Sequence, residues 1–503
     1  MTEIETEVVI AGAGPTGTTL AYELALAGVG TVVLEKQSRR VEQVKGGAIQ
    51  PRTAELLESR GLLEPLLSRA VAREPVGGHF AGLPVPLDCT PWHTRHPYPI
   101  TVPQSTVEEV LEGQAVARGA RVVHGAAVTA VEQDDDGVSV TAGDLRVRAR
   151  FLVACDGGHS TVRKLLGAAF PGRPGTFVGA LADVRLSAVS SLVPRKIGHM
   201  SDLTREANGY WAMLVPVGGD RYRLTYGQVE QTQARRDAPV TEEEIATALR
   251  AVYGEETVLD GVTSSSRFTD ATRQVERYRE GRVLFAGDAA HIHPPYGGQG
   301  LNTGMQDAFN LGWKLAVTLQ GRAPDGLLDT YHAERHPVGA RVLHHTSAQR
   351  VLFHPRPDGD VAALRDIFSD LLRLPDTNRH LAGLMSGLSL SYDLPGEHPL
   401  VGRRVPDISL DYGQRWLSAL FRAGHAVLLD LAGIVPDDVR LPGWIDLVRA
   451  HGAEDLGAAA LLIRPDGYVC WAADDADACR GTLAEAVATH LAPRPEDLPV
   501  RPG

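Results

Sequence analysis

The residues of this chain best suited to hold a reactive cofactor lie between Arg282 and Lys314. A short apolar stretch over 282–286 predicts a buried strand that ends in the carboxylate of Asp288, and a loop with two prolines and three glycines follows. An amphipathic helix is predicted to begin near Leu301. Because carboxylates bind sugar hydroxyls and helix N-termini stabilise anions, this segment suits a cofactor with a polyol chain and a ring that becomes negatively charged on reduction.

Residues 6–36 carry the pattern of a dinucleotide site. A predicted strand runs into a GxGxxG turn, a helix and a second strand follow, and an acidic residue closes the unit. In such a unit the glycines allow a tight turn and the close approach of pyrophosphate, and the acid about 20 residues further on binds ribose hydroxyls. The two segments together predict FAD. The candidate binding residues of this unit are Gly12, Gly14, Pro15, Thr16, Gly17, Glu35 and Lys36.

Three further polar residues are candidates for contacts with the dinucleotide. Asp156 ends a predicted buried strand ahead of glycines and a helix, a position that serves either a phosphate or ribose site or an ordinary strand end. Gln104 stands at the start of a helix predicted over 102–119, where its amide reaches a cofactor. Lys45 belongs to a basic turn with two glycines, and it faces either the pyrophosphate and flavin or the solvent.

The middle of the chain, residues 174–270, predicts several strands and one helix after Thr241. Its alternating patterns indicate a mainly antiparallel, half-exposed sheet. We interpret it as a second domain that forms the wall of a substrate cleft. Alternation alone does not decide which face points inward, so the candidate lining residues come from both faces: Trp211, Met213, Arg221, Arg223 and Tyr226.

Two other regions complete the predicted layout. The stretch Arg121–Val131 is predicted as one arm of an alternating hairpin whose turn is the acidic run at 134–137. From about Leu400 a third module contains a strand within 425–433, two further strands joined by a turn at 465–467 and a closing helix over 480–491.

The composition of the 503 residues excludes several classes of function. A net charge of −12 argues against nucleic acid or an anionic membrane as the main partner. The four cysteines form no CxxC pair, and His93 and His96 lack a third ligand nearby, so no metal site is predicted. No apolar run reaches the roughly 18 residues that span a bilayer, and a strand starts within ten residues of Met1. We therefore expect a cytoplasmic protein without a signal peptide.

Three motifs, in chain order, resemble the single-component flavin aromatic monooxygenases of the p-hydroxybenzoate hydroxylase class. They are GAGPTG with Glu35, DGGHSTVR from Asp156, and GDAAHIHPPYGGQGLN from Gly287. The likeness covers most of residues 4–350, and the layout with its tail looks most like bacterial hydroxylases that tailor anthracycline or angucycline polyketides.

The resemblance implies an α/β fold with three parts. A Rossmann-like FAD-binding domain would comprise residues 1–72, 101–173 and 271–395, the last with a helical extension. A mainly antiparallel substrate domain, inserted into it, would comprise 73–100 and 174–270. A thioredoxin-like domain would comprise 396–503, and because it lacks a CxxC pair we expect a structural or oligomeric role for it.

The resemblance also implies roles for single residues. Gly12, Gly14, Gly17 and Glu35 would hold the adenosine diphosphate half of FAD. Gln104 and Asp288 would contact its ribityl and pyrophosphate region, and Asp156 belongs to a motif associated with both FAD and NADPH. Lys45 stands where the family often has arginine, and lysine keeps the charge but loses the bidentate fork.

Around the flavin ring the resemblance puts Pro294 beside the isoalloxazine and the backbone of Gly300, Leu301 and Asn302 at its pyrimidine edge. The catalytic group would be the flavin itself, with Pro294 and Arg221 as side-chain candidates. NADPH, or NADH, would bind transiently, and O2 would form a flavin C(4a)-hydroperoxide that hydroxylates a polycyclic aromatic polyketide in antibiotic biosynthesis. The expected protein is a monomer or a homodimer.

Other reactions stay open at this point. A deprotonated peroxide would give Baeyer–Villiger oxygenation of such a polyketide, and an enzyme that oxidatively inactivates a large antibiotic would share every motif. A disulfide reductase would need a second dinucleotide fingerprint and a redox cysteine pair, which the sequence lacks. A flavin-binding partner protein would hold FAD without oxidising NADPH.

Overall fold

The computed structural model describes residues 2–40, 47–71, 76–230, 238–353, 358–452 and 456–493. Its strands, in chain order, are β1 (Thr2–Glu5), β2 (Val8–Ala11), β3 (Thr31–Glu35), β4 (Ala48–Ile49), β5 (Ile100–Thr101), β6 (Arg121–His124), β7 (Ala130–Gln133), β8 (Val138–Ala142), β9 (Leu145–Ala149), β10 (Phe151–Ala154), β11 (Gly172–Arg173), β12 (Val178–Ala188), β13 (Thr204–Ala207), β14 (Tyr210–Gly218), β15 (Arg221–Gln228), β16 (Val258–Thr269), β17 (Thr272–Gln274), β18 (Arg279–Glu280), β19 (Val283–Phe285), β20 (His291–Ile292), β21 (Ser409–Leu410), β22 (Arg415–Trp416), β23 (Ala426–Asp430), β24 (Ile445–Arg449), β25 (Ala460–Ile463) and β26 (Val469–Ala473).

The α-helices are α1 (Pro15–Leu26), α2 (Pro51–Ser59), α3 (Glu64–Leu67), α4 (Gln104–Ala117), α5 (Thr161–Leu165), α6 (Met200–Leu203), α7 (Glu242–Tyr253), α8 (Gln299–Leu319), α9 (Thr330–Leu352), α10 (Gly359–Leu372), α11 (Pro375–Ser386) and α12 (Ala476–His490). None of the helices in the described part of the chain is long and apolar enough to cross a membrane.

A six-stranded sheet in the order β18-β19-β10-β2-β3-β6 forms the centre of the FAD-binding domain. All its pairs are parallel except that of β18 with β19. The strands β2 and β10 are buried along their whole length, as expected for a parallel sheet that is covered on both faces. Helix α1 packs against both α4 and α8. This arrangement confirms the predicted Rossmann-like fold.

The stretch Arg121–Val131, predicted as one hairpin arm, is divided between two sheets, so that prediction is wrong. Strand β6 ends at His124 in the central sheet, where it pairs in parallel with β3. Gly125, with a φ of +72°, turns the chain away, and β7 then joins a separate sheet in the order β1-β9-β8-β7. The alternating pattern does not reveal this break because both strands are half-buried.

The substrate domain is built on an antiparallel sheet in the order β13-β14-β15-β12-β16, which confirms the predicted antiparallel pairing. Helix α7 covers one face, and its buried Ile245 and Leu249 belong to the same apolar core as Leu214 and Leu224 of the sheet. The opposite face is therefore free to line a cavity.

The C-terminal domain has a mixed four-stranded sheet in the order β24-β23-β25-β26, with α12 against β26. Strand β24, which the sequence analysis missed, pairs in parallel with β23, while β25 and β26 form the predicted antiparallel hairpin. Cys470 and Cys479 are both buried and unpaired. Within the described residues, no group of three or more His, Cys, Asp and Glu side chains is arranged to hold a metal ion.

Candidate active site

One cavity of about 1010 Å³ lies between the FAD-binding and substrate domains. One side is formed by residues at the carboxyl ends of β2, β3 and β10 and by the loop before α8, and the other side by β14 and β15. Open α/β sheets bind ligands outside the carboxyl ends of their strands. The predicted site residues that line this cavity are Gly12, Gly14, Pro15, Thr16, Glu35, Lys36, Gln104, Asp156, Asp288, Gly300, Leu301, Trp211, Met213 and Arg223. Lys45 lies outside the described residues.

The turn after β2 depends on glycine for two different reasons. At Gly12 φ is +98°, and a Cβ would lie 2.5 Å from the Cys155 carbonyl oxygen; at Gly17 it would lie 2.0 Å from that of Gly12. Gly17 therefore supports the turn without lining the cavity. At Gly14 no protein atom lies within 4 Å of the Cβ position, and α1 starts there without a side-chain cap. Its first N–H groups thus open on the cavity, as a pyrophosphate site requires.

Backbone donors fix the carboxylate of Glu35 at the end of β3. Its Oε2 accepts the N–H of Ala13 at 2.8 Å, and its Oε1 accepts that of Gln37 at 3.0 Å. Each carboxylate oxygen accepts more than one hydrogen bond. Glu35 is therefore oriented and still able to receive the two hydroxyls of a ribose.

Gln104, at the start of α4, is oriented by a charged neighbour. Its Nε2 donates to Glu108 at 2.8 Å, and Glu108 pairs with Arg40 at 2.7 Å. All three side chains line the cavity. The amide is thus held at the cavity wall, where the sequence analysis put it.

Asp156 has one carboxylate oxygen in use and one without a partner. Its Oδ2 accepts the backbone N–H groups of Thr161 at 2.7 Å and Val162 at 3.1 Å, at the start of α5. Its Oδ1 is buried and has no hydrogen-bond partner among the described residues. Because an orphaned buried oxygen is costly, a hydroxyl donor from a bound dinucleotide fits here.

Asp307 of α8 holds the loop that carries Asp288. The two Asp307 oxygens accept the Gly287 N–H at 3.0 Å, the His291 Nε2–H at 2.8 Å and the Arg335 Nε–H at 2.7 Å, all buried. Burial alone would raise the pKa of Asp307, but the Arg335 and His291 charges outweigh it, so the pKa lies below its usual value. Asp288 itself is exposed to the cavity.

The start of α8 forms the next part of the wall. Gly297 and Gly298 have φ values of +75° and +62°, and the helix begins at Gln299, two residues before the predicted start, without a side-chain cap. Gly300 and Leu301 line the cavity. This wall therefore offers uncapped N–H groups where a reduced ring would carry negative charge.

The side chains of Asn302 and Pro294 lie behind this wall rather than on it. This corrects the predicted place of Pro294, whereas the prediction for Asn302 concerned its backbone. Asn302 is 2 % exposed and uses its amide to join α8 to β4, donating to the Ala48 carbonyl at 2.9 Å and accepting the Gln50 N–H at 2.8 Å. Pro294 is buried, and its carbonyl accepts the Nδ1–H of His293 at 2.8 Å. Both residues shape the loop without facing the cavity.

Strict alternation assigns the sheet residues to two faces. On β14 and β15 the odd-numbered positions, including Trp211, Met213 and Arg223, line the cavity. Tyr226 points the other way into the core beneath α7. Arg221 shares the parity of Arg223 but lies exposed at the far end of its strand, opposite Arg185. The predictions that Tyr226 and Arg221 line the cleft are therefore wrong.

Arg223 and His79 are two polar residues that line the cavity together with the apolar side chains. Arg223 pairs with Asp183 on β12 through hydrogen bonds of 3.0 and 3.2 Å. Burial, and to a smaller extent the nearby His199, lowers the pKa of His79 to about 4. His79 is therefore neutral at pH 7.

An aromatic cluster closes the cavity on the side of α9. The ring of Phe353 lies 6.1 Å from that of Trp211 in a T-shaped arrangement and 5.1 Å from that of Tyr296. The sequence analysis missed Phe353 and Tyr296, as well as Met385 of α11, which also lines the cavity. No local pattern marks them, because chain crossings between distant segments bring them to the cavity.

Two family descriptions match the chain. The FAD binding domain family matches residues 5–346, and the aromatic-ring hydroxylase C-terminal family matches residues 398–493. The chain belongs to the FAD-dependent aromatic-ring hydroxylases. It is a flavin-dependent monooxygenase of the type that the motifs predicted.

Proteins similar to this chain are named for reactions of several natural products. A 12-dehydrotetracycline 5-monooxygenase/anhydrotetracycline 6-monooxygenase from Streptomyces rimosus is 48 % identical, over 97 % of this chain and 99 % of that protein. A rifampicin monooxygenase from Streptomyces venezuelae is 42 % identical, over 93 % and 96 % of the two chains. A dialkyldecalin synthase from Streptomyces rugosporus is 40 % identical, over 93 % and 96 %.

Among solved structures, an anhydrotetracycline hydroxylase from Streptomyces rimosus has the same fold. It superimposes with a TM-score of 0.86 at 45 % sequence identity, and the alignment covers 98 % of this chain and all of that chain. Because the alignment covers nearly the whole chain, the shared fold includes the C-terminal domain.

Proposed function

We propose that this protein hydroxylates a polycyclic aromatic polyketide with NADPH and O2 in antibiotic biosynthesis. The observation that carries the proposal is that one continuous cavity joins the FAD-site residues to a wall of aromatic and thioether side chains. Such a wall suits flat apolar rings. The similarity to an enzyme named for anhydrotetracycline supports the same substrate class.

The residues present fit FAD. The uncapped start of α1 at Gly14 would receive the pyrophosphate, Glu35 the adenosine ribose, and the free oxygen of Asp156 a hydroxyl of the dinucleotide. When bound, the flavin would accept electrons from NADPH and supply the activation of O2.

The chain's own contribution is charge stabilisation and exclusion of water. The N–H groups at the start of α8 stabilise negative charge at the cavity wall, and they are fixed because Asp307 and Asn302 tie down the loop and the helix. Phe353 and Trp211 exclude water from the apolar side. Neither Pro294 nor Arg221 lines the cavity, and neither is retained as a catalytic candidate.

A neutral His79 does not supply a strong base, so the phenol of the substrate would provide its own activation. In that case the oxygen acceptor is an electron-rich ring carbon, which favours hydroxylation. Baeyer–Villiger oxygenation of a polyketide ketone would use the same cavity. Inactivation of a large antibiotic is supported by the similarity to the rifampicin monooxygenase.

The test is NADPH consumption by the FAD-loaded protein with a panel of polycyclic aromatic polyketides, followed by mass analysis of the products. We expect one compound to stimulate consumption strongly and to gain a single oxygen atom. The position of that atom then distinguishes ring hydroxylation from lactone formation. If only ansamycin antibiotics stimulate NADPH consumption, the proposed polyketide substrate is wrong, and the protein instead inactivates a large antibiotic.

Isomerisation of a substrate without NADPH consumption would contradict the proposal. It would indicate a cyclisation activity instead, and the similarity to a dialkyldecalin synthase is the reason to include this outcome. A control with oxidised FAD and no NADPH separates these outcomes, because oxygenation requires the reductant whereas cyclisation does not.

A further inference from the structure

Three of the five methionines of the chain line the cavity. They are Met200, Met213 and Met385. Met305, by contrast, lies fully buried in the core of the FAD-binding domain. Methionine is common at adaptable apolar surfaces, but its thioether is also among the side chains most readily oxidised. The thioethers are thus concentrated where the proposed reaction would deliver oxygen.

Met385 is held against the loop that precedes α8. Its Sδ accepts the Gln349 Nε2–H at 3.5 Å, and its carbonyl oxygen accepts the Gln299 Nε2–H at 2.7 Å. Its methyl group would lie 2.1 Å from a Cβ at Gly297. The sulfur is therefore kept beside the wall that the family resemblance assigns to the flavin ring.

Met213 and Met200 lie on the opposite wall. Met213 projects from β14 on the same face as Trp211 and Arg223, and Met200 begins α6, next to that strand. Both are partly buried. A substrate that fills the cavity would cover these two sulfurs as well as Met385.

We propose that Met385, together with Met213 and Met200, is a site of self-oxidation to methionine sulfoxide when the enzyme turns over without substrate. This inference rests on the proposed function. The thioether replaces the organic substrate, so that NADPH, a proton, O2 and the thioether give NADP⁺, water and the sulfoxide. NADPH supplies an electron pair, the O–O bond breaks, and a sulfur–oxygen bond forms.

Oxidation at Met385 would then limit how long the enzyme stays active without substrate. The sulfoxide is polar and chiral, and it would enter a buried apolar cluster that includes Phe80 and Leu388. The new oxygen would crowd the backbone at Gly297, which the methyl group already approaches, and would displace the sulfur from its hydrogen bond with Gln349. Idle turnover would therefore inactivate the protein progressively, and bound substrate would protect it.

The experiment uses the full-length, FAD-loaded protein with NADPH, isotopically heavy O2 and catalase, but without substrate, followed by peptide mass analysis. We expect heavy-oxygen sulfoxide at the cavity methionines, with at least roughly tenfold more at Met385 than at Met305. Catalase removes peroxide from solution, so the heavy label reports oxygen transfer inside the cavity.

A variant pair tests the consequence for activity. Met385→Leu conserves volume but removes the sulfur, and it should slow the loss of activity during idle turnover several-fold, whereas Met305→Leu should not. The inference would be overturned if NADPH is consumed while the cavity methionines stay unmodified, or if catalase abolishes their oxidation. Either result would leave the proposed function standing. Absence of NADPH consumption with every polyketide tested would overturn the proposed function, and the inference with it.

Discussion

Arg464 of the C-terminal domain donates to both carboxylate oxygens of Glu334 on α9, at 2.8 Å each. The same guanidinium contacts Asp466, and Lys314 of α8 reaches Glu334 at 2.8 Å. All four side chains are buried. The turn of the β25–β26 hairpin is thus fixed to the two helices that carry the flavin loop and the aromatic cluster.

The first prediction concerns this charge cluster. Glu334→Gln leaves Arg464 and Lys314 with one anion fewer in a buried site, so we expect the free energy of unfolding to fall by about 3–5 kcal/mol, measured by urea denaturation. Asp477→Asn is the control, because its pair with Arg480 is exposed and such pairs contribute little. Equal effects of the two substitutions would contradict the role of the buried cluster.

The second prediction separates cofactor approach from chain packing at the glycine turn. Gly14→Ala adds a methyl group where no protein atom lies within 4 Å, so the apoprotein should unfold at an unchanged temperature while its Kd for FAD rises by about tenfold or more. Gly12→Ala should instead lower the unfolding temperature, because its φ is +98° and the Cβ would meet the Cys155 carbonyl. Fluorescence titration with FAD and thermal unfolding give both quantities. A lower unfolding temperature of the Gly14→Ala apoprotein would contradict the inference that Gly14 is needed for cofactor approach and not for chain packing.

The third prediction uses two arginines on one strand. Arg223→Ala removes a charged group from the cavity wall and should raise the Kd for the polyketide by about tenfold, or about 1.4 kcal/mol. Arg221→Ala, two residues away and exposed, should leave it unchanged. The measurement is titration followed by the flavin absorption spectrum. An equal loss of polyketide affinity in both variants would mean that the cavity wall has been assigned to the wrong residues.

The fourth prediction concerns acid stability. Burial lowers the pKa of His345 to about 3 and that of His293 to about 4. Between these values and the ordinary pKa near 6.5, the unfolded state binds more protons than the folded state, so stability rises with pH through this window and is lost as pH falls. His345→Gln should reduce the slope of unfolding free energy against pH by up to about 1.4 kcal/mol per pH unit.

The surface residue His380 provides the control for that measurement. It is exposed on α11, so His380→Gln should leave the slope of unfolding free energy between pH 4 and 6.5 as it is in the unmodified protein. An unchanged slope in His345→Gln as well would show that this histidine does not contribute to acid instability.

The parts of the site that the sequence revealed are those with local patterns. The glycine turn, Glu35, Asp156 and Asp288 each belong to a continuous strand–turn–helix segment, so neighbouring residues determine their positions. The sequence did not reveal the structural use of the Asn302 side chain, whose amide forms hydrogen bonds with Ala48 and Gln50, about 250 residues earlier in the chain. Spacing within one segment does not record such bonds.

For the cavity wall formed by β14 and β15, the sequence likewise predicts the strands but not which face lines the cavity. The sequence identified β14 and β15 and their alternation, but the inward face depends on which side α7 covers. Once Tyr226 is buried under that helix, Trp211, Met213 and Arg223 must face the cavity. Phe353 and Met385 come from helices that reach the cavity by tertiary packing alone, and the predicted domain boundaries remain predictions.

The hairpin of the C-terminal domain also restricts how such enzymes recombine. Arg464 and Asp466 lie within the region matched at 398–493, whereas Lys314 and Glu334 lie within the region matched at 5–346. A crossover between these regions would pair a hairpin from one parent with helices from another and bring mismatched charges into the interior. Where two parents differ at these four positions, a stable chimaera would therefore have to inherit both halves of the cluster from the same parent.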